Sequence, residues 1–144
     1  EKFQEIFTIL FEGGQAEVTL TGEDVLTAGV QIIARPPGKQ RQALSLLSGG
    51  EKALTAVALL FAIFETRPSP FCLLDEIDAA LDDANIERYK AYLASFRNRI
   101  QFIIISHRKK TMELADFIYG VTMEKNTMSQ IVPLEIKKAR KEHV

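Results

Sequence analysis

Two pairs of polar residues in this sequence follow short apolar runs. Asp75 and Glu76 follow one run, and Ser106 and His107 follow another. If the runs are neighbouring parallel strands, both pairs lie at the sheet edge where open α/β sheets bind ligands. Such an edge suits hydrolysis of a Mg-nucleotide, with Asp75 holding Mg²⁺ directly or through water. Glu76 would polarise the attacking water as general base, and His107 would hydrogen-bond the γ-phosphate or that water.

Each of these residues also has a purely structural explanation. Acidic residues often follow a strand because they cap the next helix, and Asp78, Asp82 and Asp83 are all candidates for that role. We expect Asp82 or Asp83 to be the N-cap of the helix that follows. A single loop histidine, such as His107, is commonly part of the polar surface.

The stretch 47–51, Leu-Ser-Gly-Gly-Glu, combines a helix start with an anion site. Ser48 is predicted as the N-cap, and Glu51, three positions on, completes a capping box. Gly49 and Gly50 then occupy the first helical positions, where a phosphate can approach the backbone N–H groups in the positive field of the helix N-terminus. The alternative is a glycine-containing turn before a buried helix.

Apolar periodicity predicts an α/β chain around these residues. The run 71–74, the helix 83–97 and the run 102–105 form a βαβ unit, and continuous apolar runs are typical of interior parallel strands. The helix 52–65 is apolar on almost every face and is expected to be buried. The remaining predicted elements are helices 1–11 and 109–114, strands 17–21, 29–34, 117–123 and 129–132, and a turn at 125–126.

Length and composition favour one soluble domain, 1–144. Hydrophobic residues make up 47% and charged residues 26% of the chain, and the net charge of −1 gives no global attraction to nucleic acid. Cys72 is the only cysteine, which excludes an intrachain disulfide, and two histidines are too few for a Cys/His metal framework. The longest uncharged apolar run, 53–64, is shorter than the roughly 20 residues of a membrane span. We therefore expect a cytoplasmic protein.

Four motifs in one order make a more specific pattern than any of them alone. They lie at 36–39 (Pro-Pro-Gly-Lys), 46–54, 71–82 and 105–107. In this order they resemble the ATPase head of structural maintenance of chromosomes (SMC) proteins, an ABC-type ATPase, and most closely the bacterial condensin form. The resemblance implies an ABC signature at Ser48, Gly49, Gly50 and Glu51, a Walker B pair at Asp75 and Glu76, a D-loop at Ala79, Ala80, Leu81 and Asp82, and a switch histidine at His107.

One expected motif is missing. The sequence contains no Gly-x-x-x-x-Gly-Lys-Ser/Thr, the loop that grips the β- and γ-phosphates. In SMC proteins that loop belongs to the amino-terminal half of the head, so the resemblance implies the carboxyl-terminal lobe, mainly a parallel sheet flanked by helices. Residues 1–11 would lie near the entry of the coiled coil, and 137–144 form a polar basic tail. Alone, such a half is expected to be inactive.

The resemblance also implies cofactors and partners. These are Mg²⁺ with ATP, the amino-terminal half of the head, a second head in an ATP-dependent homodimer, a kleisin of the segregation and condensation protein A type, and nucleoid DNA, without a membrane. The basic loop 35–41 is either a solvated connector or a DNA contact through Lys39 and Arg41. An SMC-like DNA-repair ATPase, another ABC ATPase subunit and a non-catalytic scaffold remain alternatives, although a scaffold has no need of Glu76.

Overall fold

The computed structural model describes residues 1–24, 26–123 and 128–135, with the side chains of 134 and 135 left out. The predicted turn at 125–126 and the tail 137–144 lie outside these ranges. Two short 3-10 turns, Leu44–Leu46 and Ile77–Ala80, interrupt the connections. The elements are α1 (Lys2–Phe11), β1 (Gln15–Leu20), β2 (Val30–Arg35), β3 (Gln42–Ala43), α2 (Gly49–Thr66), β4 (Phe71–Asp75), α3 (Asp83–Phe96), β5 (Gln101–Ile105), α4 (Lys109–Met112), β6 (Phe117–Met123) and β7 (Ser129–Glu135).

Helix α1 forms where the apolar spacing predicts it. Its buried face consists of Phe3, Ile6, Phe7, Leu10 and Phe11. The helix ends at Phe11, and its C-cap Glu12 has a left-handed backbone with φ 56°. Gly14 follows with φ 80°, and a Cβ atom there would lie 2.5 Å from the carbonyl oxygen of Arg35, so only glycine allows β2 to pass this closely.

An antiparallel sheet of β1, β2 and β3 packs beside α1. Ala16 pairs with Ala34 across the first two strands, and both are buried. The side chain of Gln4 in α1 accepts a hydrogen bond of 2.7 Å from the backbone N–H of Ala16. This sheet fixes the two ends of the loop 36–41, which leads towards α2.

The prediction of a mainly parallel sheet is corrected by the structure. Among the described strands, only β4 and β5 pair in parallel, whereas β1–β2, β2–β3 and β6–β7 pair antiparallel. The connections 21–29 and 36–41 are too short for a parallel crossover, which needs roughly a dozen residues or more. The described strands therefore form two antiparallel sheets and one parallel pair.

Strands β4 and β5 are buried on one face only, contrary to the expectation of interior strands. Cys72 and Leu74 are buried, but Leu73 between them is 60% exposed. Ile103 and Ile105 on β5 are each 50% exposed. Because both faces of these strands carry apolar side chains, the sequence predicted that both faces would be covered. In the described part of the chain, only one face is covered.

The covered face lies against a core built by α2 and α3. The buried Phe61 ring of α2 stacks on Phe96 at a centroid distance of 5.5 Å and meets Tyr92 and Phe102 edge-on. Ile63 is 56% exposed, so α2 is buried along one side and not on every face as its sequence suggests. No described helix is long and apolar enough to cross a membrane.

Candidate functional site

The carboxyl ends of β4 and β5 bring the predicted catalytic residues together. Asp75 pairs with Ile105 in the parallel register, and the N–H of Glu76 donates a 2.9 Å hydrogen bond to the carbonyl of Ile105. His107 follows two residues later, and its Nδ1 atom lies 3.9 Å from Oε1 of Glu76. The predicted convergence of two carboxylates and an imidazole at one sheet edge is therefore present.

Glu76 has an unusual backbone conformation. Its φ of 49° and ψ of 25° place it in the left-handed region, which residues other than glycine, asparagine and aspartate seldom adopt. Such conformations cost on the order of 1–3 kcal/mol and persist where the surroundings determine them. Here the carbonyl of Glu76 accepts a 3.0 Å hydrogen bond from the N–H of Ala79, and this bond begins the 3-10 turn Ile77–Ala80. Its carboxylate remains exposed to solvent.

Asp78 does not cap a helix, which corrects one of the structural explanations. Its side chain is 1% exposed and accepts a hydrogen bond of 2.5 Å from the Ser106 hydroxyl and another from the Thr111 hydroxyl. Asp82 is the N-cap of α3, since it accepts a 2.8 Å hydrogen bond from the N–H of Asn85. Sequence reasoning missed the role of Asp78 because both partners lie far along the chain.

The start of α2 has the predicted capping box. Ser48 is the N-cap, and its hydroxyl oxygen accepts from the N–H of Glu51. The Glu51 carboxylate accepts from the N–H of Ser48 at 3.0 Å and from the Ser48 hydroxyl at 2.8 Å. It also forms an ion pair of 2.9 Å with Nζ of Lys39. Partial burial by itself raises the pKa of Glu51, but the hydrogen bonds from Lys39 and Ser48 outweigh it and hold that pKa below its ordinary value.

The two glycines of this stretch have different surroundings. Gly49 is exposed, with no atom within 4 Å of the position a Cβ would take. At Gly50 a Cβ would lie 3.5 Å from the carbonyl oxygen of Ala80, so the helix start contacts the segment 79–82. An open cavity of about 480 Å³ lies here, and Ser48, Gly50, Glu51, Ala80 and Asp82 are part of its lining.

This cavity is separate from the sheet edge described above. Its lining includes none of Asp75, Glu76 and His107. Within one chain, the segment 79–82 therefore lies between the residues of the sheet edge and those that line the cavity. It follows Glu76 closely in sequence and contacts the start of α2.

The two candidate DNA contacts both have acidic neighbours. Lys39 pairs with Glu51, and Arg41 forms an ion pair with Glu17 on β1. Both cations keep about half of their side-chain surface exposed. DNA contact at this loop stays a prediction.

The sheet edge fits Mg²⁺ bound together with a nucleotide. Asp75 is exposed at the end of β4, and no group of three or more His, Cys, Asp or Glu side chains in the described ranges is arranged to hold a metal. Mg²⁺ in nucleotide sites is usually held by one or two carboxylates, with phosphates and waters completing its shell. A single strand-end aspartate fits such a site, in which phosphates and waters supply the other ligands.

Known proteins match nearly the whole chain. A family model described as RecF/RecN/SMC N terminal domain matches residues 2–130. The chromosome partition protein Smc of Delftia acidovorans is 55% identical over 137 residues, which are 95% of this chain and 12% of that protein. The chain therefore spans about an eighth of this curated relative.

Solved structures match the fold. One, described as structural biochemistry of ATP-driven dimerization and DNA stimulated activation of SMC ATPases, is 43% identical with a TM-score of 0.82, and the match covers 96% of this chain and 84% of the other. The Smc head domain with an extended coiled coil, bound to the C-terminal domain of ScpA and derived from Pyrococcus furiosus, is 44% identical with a TM-score of 0.81. That match covers 93% of this chain and 34% of the other.

Proposed function

This chain belongs to the RecF/RecN/SMC N-terminal domain family, and we propose that it forms the carboxyl-terminal half of an SMC ATPase head that hydrolyses ATP in chromosome partitioning. The observation that carries the proposal is the 3.9 Å approach of His107 to Glu76 directly after Asp75, at the carboxyl ends of paired parallel strands. This is the edge at which open α/β sheets bind ligands.

At this edge each residue has a distinct role in our proposal. Asp75 would hold Mg²⁺ directly or through water, and this ion would supply positive charge against the bound phosphates. Glu76 orients the attacking water and accepts its proton as general base. His107 donates a hydrogen bond to the γ-phosphate or to that water.

The start of α2 serves a second nucleotide, held by a facing head. The N–H groups of the exposed Gly49 and the half-buried Gly50, together with the positive end of the helix, suit a γ-phosphate. The separation of this surface from the sheet edge supports the assignment, because one nucleotide has no need of both. Ser48 and Glu51 preserve the helix start, and the D-loop, Ala79 to Asp82, joins the two surfaces. ATP would then hold two heads together until it is hydrolysed.

The amino-terminal half of the head completes this chain in our proposal. The sequence lacks a P-loop, and the exposed apolar face of β4 and β5 provides a surface for another part of the fold to cover. In one solved SMC ATPase structure, the match covers 84% of the chain, so that chain is only a little longer than this one. A chain of about this length in an SMC ATPase structure supports the proposal that this half of the head can be a separate chain. The entry of a coiled coil beside α1 is proposed from the family resemblance.

A kleisin and DNA are the remaining proposed partners. The Pyrococcus furiosus Smc head is bound to the C-terminal domain of ScpA, and another solved Smc head is bound to the C-winged helix domain of ScpA. The half-exposed Lys39 and Arg41 are the residues we propose for DNA contact. In this proposal the protein acts in the cytoplasm on the nucleoid.

The test is reconstitution. The chain should release little phosphate from ATP alone, and mixing it with the amino-terminal half should produce turnover. The matched control is the same mixture with the P-loop lysine of the amino-terminal half replaced by alanine. Turnover by the isolated chain would reject the half-head enzyme in favour of another ATPase. Partner binding that does not depend on ATP, without turnover in the mixture, would reject it in favour of a scaffold.

A further inference from the structure

His107 is poorly held by its own contacts. Its side chain is 69% exposed, and its polar approach among the described residues is the 3.9 Å distance to Glu76, which is longer than a hydrogen bond. Packing does not fix a side chain exposed to this degree. The position of the imidazole therefore depends on how the backbone on either side of it is anchored.

Both neighbours of His107 are anchored to the turn Ile77–Ala80. The hydroxyl of Ser106 donates to Asp78 and accepts a 3.0 Å hydrogen bond from the N–H of Arg108. The Arg108 guanidinium donates a 3.0 Å hydrogen bond through Nη2 to the carbonyl of Ala79. His107 thus lies between two residues that are each tied to the turn directly following Glu76.

Asp78 is the centre of these contacts. Its Oδ2 atom accepts hydrogen bonds from Ser106, which directly precedes His107, and from Thr111 in α4, four residues after it. Asp78 is 1% and Thr111 is 3% exposed, so water does not compete for the hydrogen bond between them, and Ser106 is half-buried. One buried carboxylate therefore links the turn that begins at Glu76 to both sides of the His107 segment.

We propose that Asp78 is a positioning residue, which fixes His107 beside Glu76 through the hydroxyls of Ser106 and Thr111. This inference rests on the proposed function, since it assigns those two residues to ATP hydrolysis. Asp78 touches no reacting atom in this role. Its carboxylate instead determines the separation of the general base and the imidazole.

Thr111 allows a test that separates positioning from packing. Thr111→Val keeps the shape but removes the hydroxyl, whereas Thr111→Ser keeps the hydroxyl and removes a methyl group. Both variants are made in the complete head, with ATP turnover measured against ATP concentration. We expect Thr111→Val to lower kcat about tenfold or more with unchanged KM, and Thr111→Ser to retain kcat. If Thr111→Ser loses kcat and Thr111→Val keeps it, the role of this cluster is packing, and the proposal is wrong.

Amide hydrogen exchange gives a second readout that needs no hydrolysis. Thr111→Val should speed exchange at the N–H groups of Glu76 and Arg108, and Thr111→Ser should not. Unchanged exchange in Thr111→Val would overturn the positioning role. If the wild-type complete head fails to hydrolyse ATP, the proposed function fails, while the exchange comparison still decides whether Asp78 holds this segment.

Discussion

The Nδ1 atom of His107 lies 3.9 Å from Oε1 of Glu76, and both side chains are more than half exposed. A nucleotide therefore has free access to a carboxylate and an imidazole that are already neighbours. Glu76→Gln keeps the size of the side chain but cannot accept a proton. In the complete head we expect kcat for ATP to fall about 100-fold or more, with ATP binding retained. Phosphate release measures turnover, and size-exclusion chromatography with ATP should show a persistent dimer.

Glu87→Gln is the matched control for that substitution. Glu87 is an exposed helical carboxylate that pairs with Lys90 and Lys110 and lies outside the proposed site. Its replacement should leave turnover unchanged. Equal turnover in Glu76→Gln and the wild type would remove Glu76 from the role of general base.

The start of α2 should govern the association of two heads. Ser48→Arg removes the N-cap hydroxyl, at a cost of about 0.5–2 kcal/mol, and places a cation at the positive end of the helix. We expect the ATP-dependent dimer to be lost and ATP binding to a single complete head to persist. Analytical ultracentrifugation and equilibrium ATP binding measure the two properties.

Ser95→Arg controls for the added arginine, since Ser95 is exposed near the end of α3. This variant should dimerise as the wild type does. Loss of ATP binding in Ser48→Arg would instead assign Ser48 to the nucleotide of its own head.

The open face of β4 and β5 should bind the amino-terminal half. Burying a leucine side chain contributes about 1.5–3 kcal/mol, so Leu73→Ser should weaken association of the two halves about tenfold or more. Titration calorimetry of the separately purified halves gives the affinity. Val30→Ser removes an equally exposed apolar residue from β2 and should have no effect. Similar losses in both variants would indicate general destabilisation and contradict a specific contact at Leu73.

Stability should depend on pH through Glu51. Because hydrogen bonds from Lys39 and Ser48 lower its pKa in the folded state, Glu51 binds a proton more readily when unfolded. Its contribution is therefore complete above the unfolded value of about 4.3 and is lost as pH falls through the lower folded pKa. Between about pH 6 and pH 3 the Tm of the complete head should fall more for the wild type than for Glu51→Gln.

Glu23→Gln, at an exposed position in the connection 21–29, is the control for this experiment. Its Tm profile should follow that of the wild type. If the Tm of Glu51→Gln falls with pH as much as that of the wild type, the carboxylate of Glu51 does not stabilise the start of α2.

Local patterns in the sequence were sufficient for part of this site. The Ser48–Glu51 capping box is confirmed because its two partners are three residues apart and need only one helical turn. Asp75 and His107 reach the same edge because the apolar runs before them form neighbouring parallel strands. Both inferences depend on short-range geometry that the order of residues determines.

Long-range packing accounts for what the sequence did not reveal. Asp78 could be placed only once Ser106 and Thr111 had been brought to it by β5 and α4. The apolar residues of β4 do not indicate which face is covered, because alternate side chains point to opposite faces and all are apolar. The pairing of Lys39 with Glu51 likewise depends on the path of the loop 36–41.

The left-handed backbone of Glu76 has one more consequence. In an extended strand, consecutive side chains project to opposite sides, so a straight continuation of β4 would direct the carboxylates of Asp75 and Glu76 away from each other. The change of hand at Glu76 breaks that alternation directly after Asp75. In the proposed site, Asp75 and Glu76 would then both act on the same triphosphate, Asp75 through Mg²⁺ and Glu76 through the attacking water.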